Sequence, residues 1–359
     1  MKLHLEFMLP NGAWDNSWGS RSFKWTWWGS RTSDGCFPGY YEFSDKAPSF
    51  LTAIIRNIAC LEACTHDNIL HSGPHEFMEG AAPSVHHTFD HAKAMTKFLH
   101  MLKPSDNISE TSLPREKEYG VKHYKDINTL LFSKGKWRGT ITAYSYLYKG
   151  KTDGHPSGGS LSLLYHMKLG VISASSMTRY SHWEKNNMLN EKNIKHFMSL
   201  TPRLELKKST GKTYTNISDI NASLEAYEND KEIVITSKSA LISGKEALCT
   251  EEQVVVTSTY VISEDKFEIR LSLDRAIKGE LTMIYPVICS AKDKIKMNEN
   301  SVRLTKKHGN LSIKSNYIIQ SEFEPDQRVY NFIPGLQAYP LAFNCNNLQQ
   351  KELIIQFKA

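Results

Sequence analysis

The chain has 359 residues, a length that suits two modest domains better than one small domain. Hydrophobic residues make up 40% of the chain and charged residues 23%, which are globular proportions and exclude disorder throughout. The net charge of +6 comes from 44 basic and 38 acidic residues. Because the basic residues are scattered, this charge permits an anionic partner and does not indicate nucleic acid.

The sequence predicts no insertion into a membrane, because no stretch reaches the roughly 18 apolar residues that a membrane helix needs. The first residues, MKLHLEFMLPNG, lack the apolar centre of a secretion signal. We therefore expect either an intracellular protein or an export signal upstream of this sequence.

Helical patterns occupy the chain before residue 115. Ser49 is predicted to cap a buried helix that runs to about Cys64, and a second helix is predicted from about Val85 to Leu102, ended by Pro104. The apolar face of the second helix is expected to consist of Val85, Phe89, Ala92, Met95, Leu99 and Leu102. Cys60 and Cys64, one helical turn apart, are expected to be buried thiols rather than a disulfide.

The pattern changes after residues 104–118, whose polar composition and two prolines are typical of a linker. Runs rich in β-branched residues then predict strands in GTITAYSYLYKG, SLSLLYHM, EIVITSKS, EQVVVTSTYVIS, KFEIRLSLD, ELTMIYPVIC, LSIKSNYIIQ and ELIIQFKA. In SLSLLYHM, one face is predicted to carry Leu161, Leu163, Tyr165 and Met167.

Many strands without intervening helices predict an antiparallel β-sandwich rather than a doubly wound sheet. The fold class is therefore α+β, with a helical segment over residues 1–110 and a large sandwich over residues 111–359. A few helices cannot enclose a core alone, so we expect them to pack on the sandwich or on helices outside this chain.

An aromatic segment, residues 12–43, is the most unusual stretch of the sequence. It holds five of the seven tryptophans, interleaved with Gly, Ser, Asn, Asp and Arg: Trp14, Trp18, Trp25, Trp27 and Trp28. Aromatic rings stack on sugar rings, and Arg21, Lys24 and Arg31 are suited to hold a carboxylate or a sulfate. The alternative is that the tryptophans seal the junction of helices and sandwich, and both interpretations stay open.

Histidines form a second unusual feature. Six of the fourteen lie in one short span: His66, His71, His75, His86, His87 and His91. His87 and His91 have the spacing of metal ligands on a helix, but Thr88 stands where a zinc protease needs glutamate. The open alternatives are that these histidines line a polar groove or that they are hydrogen-bonded in the core.

His155 lies in the Gly/Ser-rich stretch GKTDGHPSGGSLSLLYH, between two predicted strands. A loop on a rigid sandwich can present an imidazole for proton transfer. The alternative is a loop histidine that faces water.

These stretches together resemble the heparinase II/III family of polysaccharide lyases, which join an (α/α) toroid to a C-terminal antiparallel sandwich. The resemblance lies in the order of helices, linker and sandwich, and in the run from His155 through SLSLLYHMKLGVISASSMTRYSHW. It also lies in WDNSWGSRSFKWTWWGSRTSDG with SVHHTFDHAKAM, which is similar to the end of the toroid. The resemblance implies that residues 1–110 are such an end.

The activity implied by the resemblance is β-elimination at a uronic acid, with tyrosine and histidine sharing the roles of base and acid. The implied catalytic residues are His155 and Tyr41, with Tyr40 as the alternative tyrosine. His87, Arg31 and Asn16 are candidates for neutralising the substrate carboxylate. The remaining candidates for substrate binding are Trp18, Arg21, Trp25, Trp27 and Trp28.

No metal and no cofactor are expected. Several family members bind zinc in the sandwich, but Ser157 replaces one zinc histidine, and the triplet Ser173, Ala174 and Ser175 stands where the aspartate turn would be. The resemblance also implies a periplasmic or secreted location.

The sequence thus predicts a lyase, or a truncated part of one, that acts on an acidic polysaccharide or oligosaccharide. The first alternative is a carbohydrate-binding remnant without catalysis, and the second is a structural sandwich plugged by the aromatic segment. The identity and sulfation of the glycan, the endo or exo mode and the oligomeric state are not predicted.

Overall fold

The computed structural model describes residues 2–15, 37–80, 85–103, 110–143, 157–176, 196–243, 248–250, 253–332 and 334–359. The α-helices in these ranges are α1 (Lys2–Glu6), α2 (Phe37–Glu42), α3 (Ser49–Ala63) and α4 (Val85–Met101). Both long helices were predicted to within about one residue. The prediction that Ser49 caps α3 is wrong, because Ser49 is the first residue of the helix, Pro48 precedes it, and no side chain caps the helix. No helix in the described ranges is long and apolar enough to span a membrane.

Helix α4 buries a face that overlaps only in part with the predicted one, of which Met95 and Leu102 are partly buried against the core. Its buried residues include His91, Ala94 and Phe98, whereas Phe89 of the predicted face is 71% exposed. The helix packs against α2, where the Phe98 ring lies 5.8 Å from the Tyr41 ring. Two apolar stripes run along α4, and periodicity alone does not say which one the neighbouring elements cover.

A matched pair of substitutions tests this corrected face. Phe98→Leu is expected to lower the free energy of unfolding by about 1–2 kcal/mol, because Phe98 is 6% exposed and packs in a core. Phe89→Leu in the same helix is expected to change it by less than about 0.5 kcal/mol. Urea denaturation measures both, and a larger loss for Phe89→Leu than for Phe98→Leu would mean that the predicted face is the buried one.

Strands dominate the rest of the chain. A short hairpin of β1 (Thr65–His66) and β2 (Ile69–Leu70) separates α3 from α4. The next strands form a five-stranded antiparallel meander: β3 (Gly120–Tyr124), β4 (Thr129–Lys134), β5 (Trp137–Thr142), β6 (Ser160–His166) and β7 (Gly170–Ala174).

The remaining strands build two further sheets. In chain order they are β8 (Arg203–Lys207), β9 (Thr213–Thr215), β10 (Ser223–Glu228), β11 (Glu232–Ala240), β12 (Val255–Ser263), β13 (Phe267–Leu273), β14 (Glu280–Ile288), β15 (Lys294–Asn298), β16 (Ser301–Lys306), β17 (Gly309–Ser315), β18 (Ile319–Gln320), β19 (Val329–Asn331), β20 (Leu336–Asn344) and β21 (Leu353–Lys358). The eight-stranded sheet has the order β10-β11-β12-β13-β21-β17-β16-β15. The six-stranded sheet has the order β18-β20-β14-β8-β9, with β19 paired to β20.

One large apolar core unites the three sheets. It contains Phe132 of the five-stranded sheet, Tyr285 of the six-stranded sheet, and Phe267 and Phe357 of the eight-stranded sheet. The predicted antiparallel sandwich is therefore confirmed, and each predicted strand run is found where the chain is described. The toroid expected for residues 1–110 is not established by the described helices.

A β-bulge in β6 corrects the predicted strand face. Thr140 pairs with Leu163 and Ile141 with Leu161, so Ser162 is an extra residue in β6. Since an extra residue shifts the alternation of side chains, Leu161 belongs to the large core whereas Leu163 and Tyr165 belong to a second core. The prediction of one shared face is wrong for Leu161.

The second core joins the helices to the outer face of the five-stranded sheet. Phe50 and Ile54 of α3 share it with Leu163 and Tyr165 of β6 and Val171 of β7. The helices thus pack directly on the sandwich, one of the two arrangements expected from the sequence. The described cysteines are buried and free, including the predicted thiols Cys60 and Cys64.

The segment predicted to be a linker is packed where the structure describes it. Residues Pro114–Glu116 form a 3-10 turn, and both Leu113 and Arg115 are fully buried. A polar composition with prolines indicated a linker, but Arg115 is buried because its charge is paired inside the protein.

Candidate functional site

Three neighbouring strands of the five-stranded sheet begin or end on the same side of the sheet, which is called its edge below. Antiparallel pairing places the end of β5 at Thr142, the start of β6 at Ser160 and the end of β7 at Ala174 along this edge. His155 lies between β5 and β6 in the sequence, within residues 144–156, outside the described residues. The described chain on either side of that stretch therefore belongs to this edge.

The chain just after His155 is held firmly. The Ser157 amide donates to the carbonyl of Ile217 at 2.8 Å, and its hydroxyl donates to the carbonyl of Ala143 at 2.9 Å. Gly158 has a positive φ of 65°, which favours glycine. The Gly/Ser-rich residues that predicted a loop thus form, where they are described, a turn that packs against the sandwich.

The end of β7 is also fixed by hydrogen bonds. The Ser176 hydroxyl accepts from the Leu200 amide at 2.7 Å and from the Asn331 side-chain amide at 3.3 Å. The Thr201 hydroxyl donates to the Ser176 carbonyl at 2.9 Å. These bonds connect the sheet edge to β19 of the six-stranded sheet.

A buried polar network continues from β19 into the helical part. The hydroxyls of Tyr330 and Ser72 lie 3.3 Å apart, and the Ser72 amide donates to Oε2 of Glu76. The same carboxylate oxygen lies 3.6 Å from Nδ1 of His71. Burial raises the pKa of Tyr330 well above its usual value, and the charge of Glu76 adds to this, so Tyr330 keeps its proton.

The segment from Ser72 to Glu79 docks on the sandwich at a second point. Nδ1 of His75 accepts a hydrogen bond from the Gln337 amide at 2.9 Å. Burial, with the positive charges of Lys306 and Lys292, lowers the pKa of His75 to about 3, so the ring is neutral near pH 7. Sequence reasoning noted these histidines but missed Glu76, because a glutamate in a polar stretch gives no signal of burial.

Tyr40 is a packing residue of the second core. It is almost fully buried, and its hydroxyl lies 2.6 Å from Nδ1 of His4. Burial lowers the pKa of His4 to about 4, so the neutral ring accepts the hydrogen bond from Tyr40. Tyr41 is half-buried, and its placement favours it over Tyr40 as a group that reaches solvent.

Most of the other predicted site residues cannot be placed. Outside the described residues lie His155, Asn16, Trp18, Arg21, Trp25, Trp27, Trp28 and Arg31. His87 lies on α4, but the structure does not describe its side chain. The roles predicted for all of these residues stay predictions.

Both described parts of the aromatic segment contribute buried residues to the helical part. Trp14 is buried and stacks on His4, with ring centroids 4.0 Å apart, and Phe37 is buried at the start of α2. For Trp14, the sealing interpretation therefore holds. Trp14 and Tyr40 also contact each other, with their ring centroids 5.8 Å apart.

A buried ion pair fixes the position of Asp15, the last described residue before the other tryptophans of the aromatic segment. The Arg115 guanidinium donates to Oδ2 of Asp15 at 2.9 Å, to the Thr140 hydroxyl at 2.9 Å and to the Glu6 carbonyl at 2.9 Å. The Thr140 hydroxyl also bonds to Asp15. Because Thr140 belongs to β5, Asp15 lies against the sheet whose strands β5 and β6 flank His155 in the sequence.

The described residues offer no group of three or more His, Cys, Asp or Glu side chains that could hold a metal ion. His91 of the HxxxH pair is buried and has partners.

Two family models match almost the whole chain. The model described as the ulvan lyase N-terminal domain matches residues 1–116, and that of the ulvan lyase C-terminal domain matches residues 121–358. The chain therefore belongs to the ulvan lyase family.

A curated relative agrees with this assignment. The broad-specificity ulvan lyase of Formosa agariphila is 38% identical over 343 residues, which are 94% of this chain and 53% of that protein. The chain thus spans about half the length of this relative.

Solved structures also match, at much lower sequence identity. A heparinase III gene product is 9% identical, with a TM-score of 0.49 over 98% of this chain and 52% of that one. A mutant of heparan sulfate lyase HepC from Pedobacter heparinus is 10% identical, with a TM-score of 0.46 over 98% of this chain and 54% of that one. Both TM-scores lie below 0.5.

Proposed function

We propose that the chain is part of a lyase that cleaves an acidic, uronate-containing polysaccharide by β-elimination, with ulvan as its substrate. The observation that carries the proposal is the 38% identity to a broad-specificity ulvan lyase over 94% of the chain. The proposal includes a heparinase II/III-like architecture, in which residues 1–110 are the end of an (α/α) toroid. A periplasmic or secreted location belongs to the same proposal.

The reaction needs three groups around the sugar. A base removes the C5 proton, the electron pair forms the C4–C5 double bond, and the C4–O bond breaks as an acid protonates the leaving oxygen. Positive charge or hydrogen-bond donors at the carboxylate stabilise the charge that develops when C5 loses its proton. We assign proton transfer to His155 and Tyr41, and carboxylate neutralisation to His87, Arg31 and Asn16.

The described geometry supports this assignment through β5. Asp15, which precedes Asn16, is bonded to Thr140, and the strand ends two residues later at Thr142. Ala143 then accepts the hydrogen bond from Ser157, two residues after His155 in the sequence. The three residues from Thr140 to Ala143 span about 10 Å of extended chain. Asp15, the last described residue before Asn16, and Ala143, the last one before the stretch with His155, therefore both lie at this end of β5.

Incubation with ulvan and other uronate polysaccharides tests the function. The unsaturated product absorbs in the ultraviolet, and we expect the chain to form it. His155→Ala is expected to lower the rate by about 10²–10⁴-fold, as for loss of a general acid or base. The matched control is His308→Ala, because His308 is an exposed histidine in the turn between β16 and β17.

The outcomes separate the hypotheses. Absence of product from every uronate polysaccharide would contradict the lyase. Binding of ulvan without product would support the alternative of a carbohydrate-binding remnant. A rate for His155→Ala equal to that of the control would leave the lyase in place but remove His155 from its catalytic residues.

A further inference from the structure

The outer face of one half of the eight-stranded sheet is basic. In β15, β16, β17 and β21, alternate residues point into the large core, so the residues between them point to solvent. These four strands are described in full, and their outward positions carry no acidic residue. The exposed basic residues at these positions, which we call the basic face, are Lys294, Lys296, Arg303, Lys314 and Lys358.

Strand pairing aligns three of these cations in one row. Lys296 lies directly opposite Arg303 across β15 and β16. Ser312 of β17 lies between Arg303 and Lys358 of β21. Because neighbouring strands are about 4.8 Å apart, the row from Lys296 to Lys358 is about 14 Å long. A linear polyanion can therefore contact several cations of the row at once.

The charges of the basic face are not compensated within the described chain. No ion pair between described residues involves any of its five side chains. Like charges directly opposite each other, as Lys296 and Arg303 are, destabilise a pair of strands. On the neighbouring strand β13, by contrast, the carboxylate of Glu268 lies 2.6 Å from Nε of Arg270. The charges of the basic face thus do not stabilise the sheet, which favours a role in binding.

Protection of the sheet edge explains only part of the basic face. Lysines on an edge strand hinder its pairing with another chain, and two of the five cations lie on the edge strand β15. The other three lie on β16, β17 and β21, each of which pairs with two neighbours. At the opposite end of the sheet, the outward positions mix both signs of charge, with Glu225, Glu232 and Lys238. Positive charge alone is therefore a property of this half of the sheet.

We propose that the basic face is a binding surface for an extended chain of acidic polysaccharide, which rests on the function proposed above. The row of Lys296, Arg303 and Lys358 contacts successive anionic groups of one glycan chain, and Lys314 contacts the same chain from the next row. Recognition is by charge, because the outward positions of these four strands hold no aromatic ring on which a sugar could stack.

The basic face lies apart from the candidate site. The Ser237 hydroxyl, on the inner side of β11, donates to the Gly158 carbonyl at 3.2 Å. The turn that follows His155 in the sequence therefore packs on the inner side of the eight-stranded sheet, whereas the basic face lies on its outer side. A glycan on the basic face is thus a distant part of the polymer, and its contacts keep the protein on long substrates.

Titration calorimetry of the 359-residue chain with polymeric ulvan tests this surface. Arg303→Gln combined with Lys314→Gln is expected to weaken binding by about twofold to thirtyfold, the range for two exposed ion pairs. The matched control, Lys231→Gln combined with Lys238→Gln, removes the same charge from the other end of the sheet and is expected to keep full affinity. Raising the salt from about 0.1 to 1 M shortens the screening length from about 10 to 3 Å, so the difference is expected to vanish. A difference that persists at about 1 M salt would overturn recognition by charge.

Lys296→Glu separates binding from folding. It places a carboxylate opposite Arg303, so we expect a higher urea midpoint together with weaker binding of ulvan. The control is Lys238→Glu, which lies opposite the uncharged Ser223 and Thr257 and is expected to change neither quantity. If Lys296→Glu lost stability together with affinity, Lys296 would support the sheet and its role in binding would be overturned.

Product formation separates the basic face from the lyase. The variant with Arg303→Gln and Lys314→Gln is expected to raise KM for polymeric ulvan by the factor lost in binding, and to leave kcat and the KM for an ulvan tetrasaccharide unchanged. Weaker binding in this variant, with no product from the unchanged chain, would support the basic face and contradict the lyase. Product with unchanged affinity and KM in the variant, or no binding of ulvan by the unchanged chain, would overturn the basic face. Duplex DNA bound as tightly as ulvan, with the same loss in the variant, would overturn the assignment to a polysaccharide.

Discussion

Arg115→Met is expected to lower the free energy of unfolding by about 3–5 kcal/mol, the cost of leaving one charge of a buried pair alone. The guanidinium of Arg115 and the carboxylate of Asp15 are both buried and 2.9 Å apart. Removing Arg115 also takes a donor from the Thr140 hydroxyl and from the Glu6 carbonyl. Urea denaturation followed by tryptophan fluorescence measures the loss.

A second substitution separates the charge from the packing. The double variant Arg115→Met with Asp15→Ala is expected to regain most of the lost stability, because no charge is then buried without a partner. The control is Arg275→Met, since Arg275 and Asp274 form an exposed pair that is worth about 1 kcal/mol at most. A double variant no more stable than Arg115→Met would show that the loss comes from packing.

Gly335→Ala is expected to destabilise the protein by about 3 kcal/mol or more. Gly335 has a φ of +76°, and an added Cβ would lie 2.5 Å from the backbone nitrogen of Gly73. The left-handed conformation alone costs about 1–2 kcal/mol for alanine, and the clash with backbone adds to it. The contact joins the segment that carries His75 and Glu76 to the sandwich. Urea denaturation measures the loss.

Gly211→Ala is the matched control for this prediction. Gly211 has a φ of +77°, nearly the same as that of Gly335, but an added Cβ at this residue would have no atom within 4 Å. We expect this variant to lose only the cost of the left-handed conformation, about 1–2 kcal/mol. Equal losses of stability in the two variants would mean that the backbone at Gly73 moves to relieve the clash without a measurable cost in free energy.

The elements of this fold were predictable where local pattern decides them. The helix Ser49–Ala63 and the strands around residues 232–240 and 255–263 follow from periodicity and β-branched composition. The strand β20, with its two alanines, a proline and a glutamine, has no such signal, although it pairs with both β14 and β18.

The faces of the elements were less predictable than the elements themselves. The bulge at Ser162 and the choice between two apolar stripes on α4 both depend on neighbours that are distant in sequence. A one-residue shift or a rotation of a helix changes which residues are buried without changing the local pattern.

The contacts that hold the described chain around the candidate site were not predictable from the sequence. The residues Asp15 and Arg115 are 100 positions apart, and Ser72 and Tyr330 are 258 apart, so no local spacing relates them. The histidine-rich span did attract attention, yet the partner of His71 is Glu76, whose burial only the packed structure reveals.

The five-stranded sheet contributes side chains to both apolar cores, with Leu161 on one side and Leu163 on the other. The boundary between the two family models, near residues 116–121, therefore does not separate two independent cores. Cleavage of the chain there and loss of the helices would expose Leu163, Tyr165 and Val171 to water. An exposed apolar patch of this kind promotes aggregation.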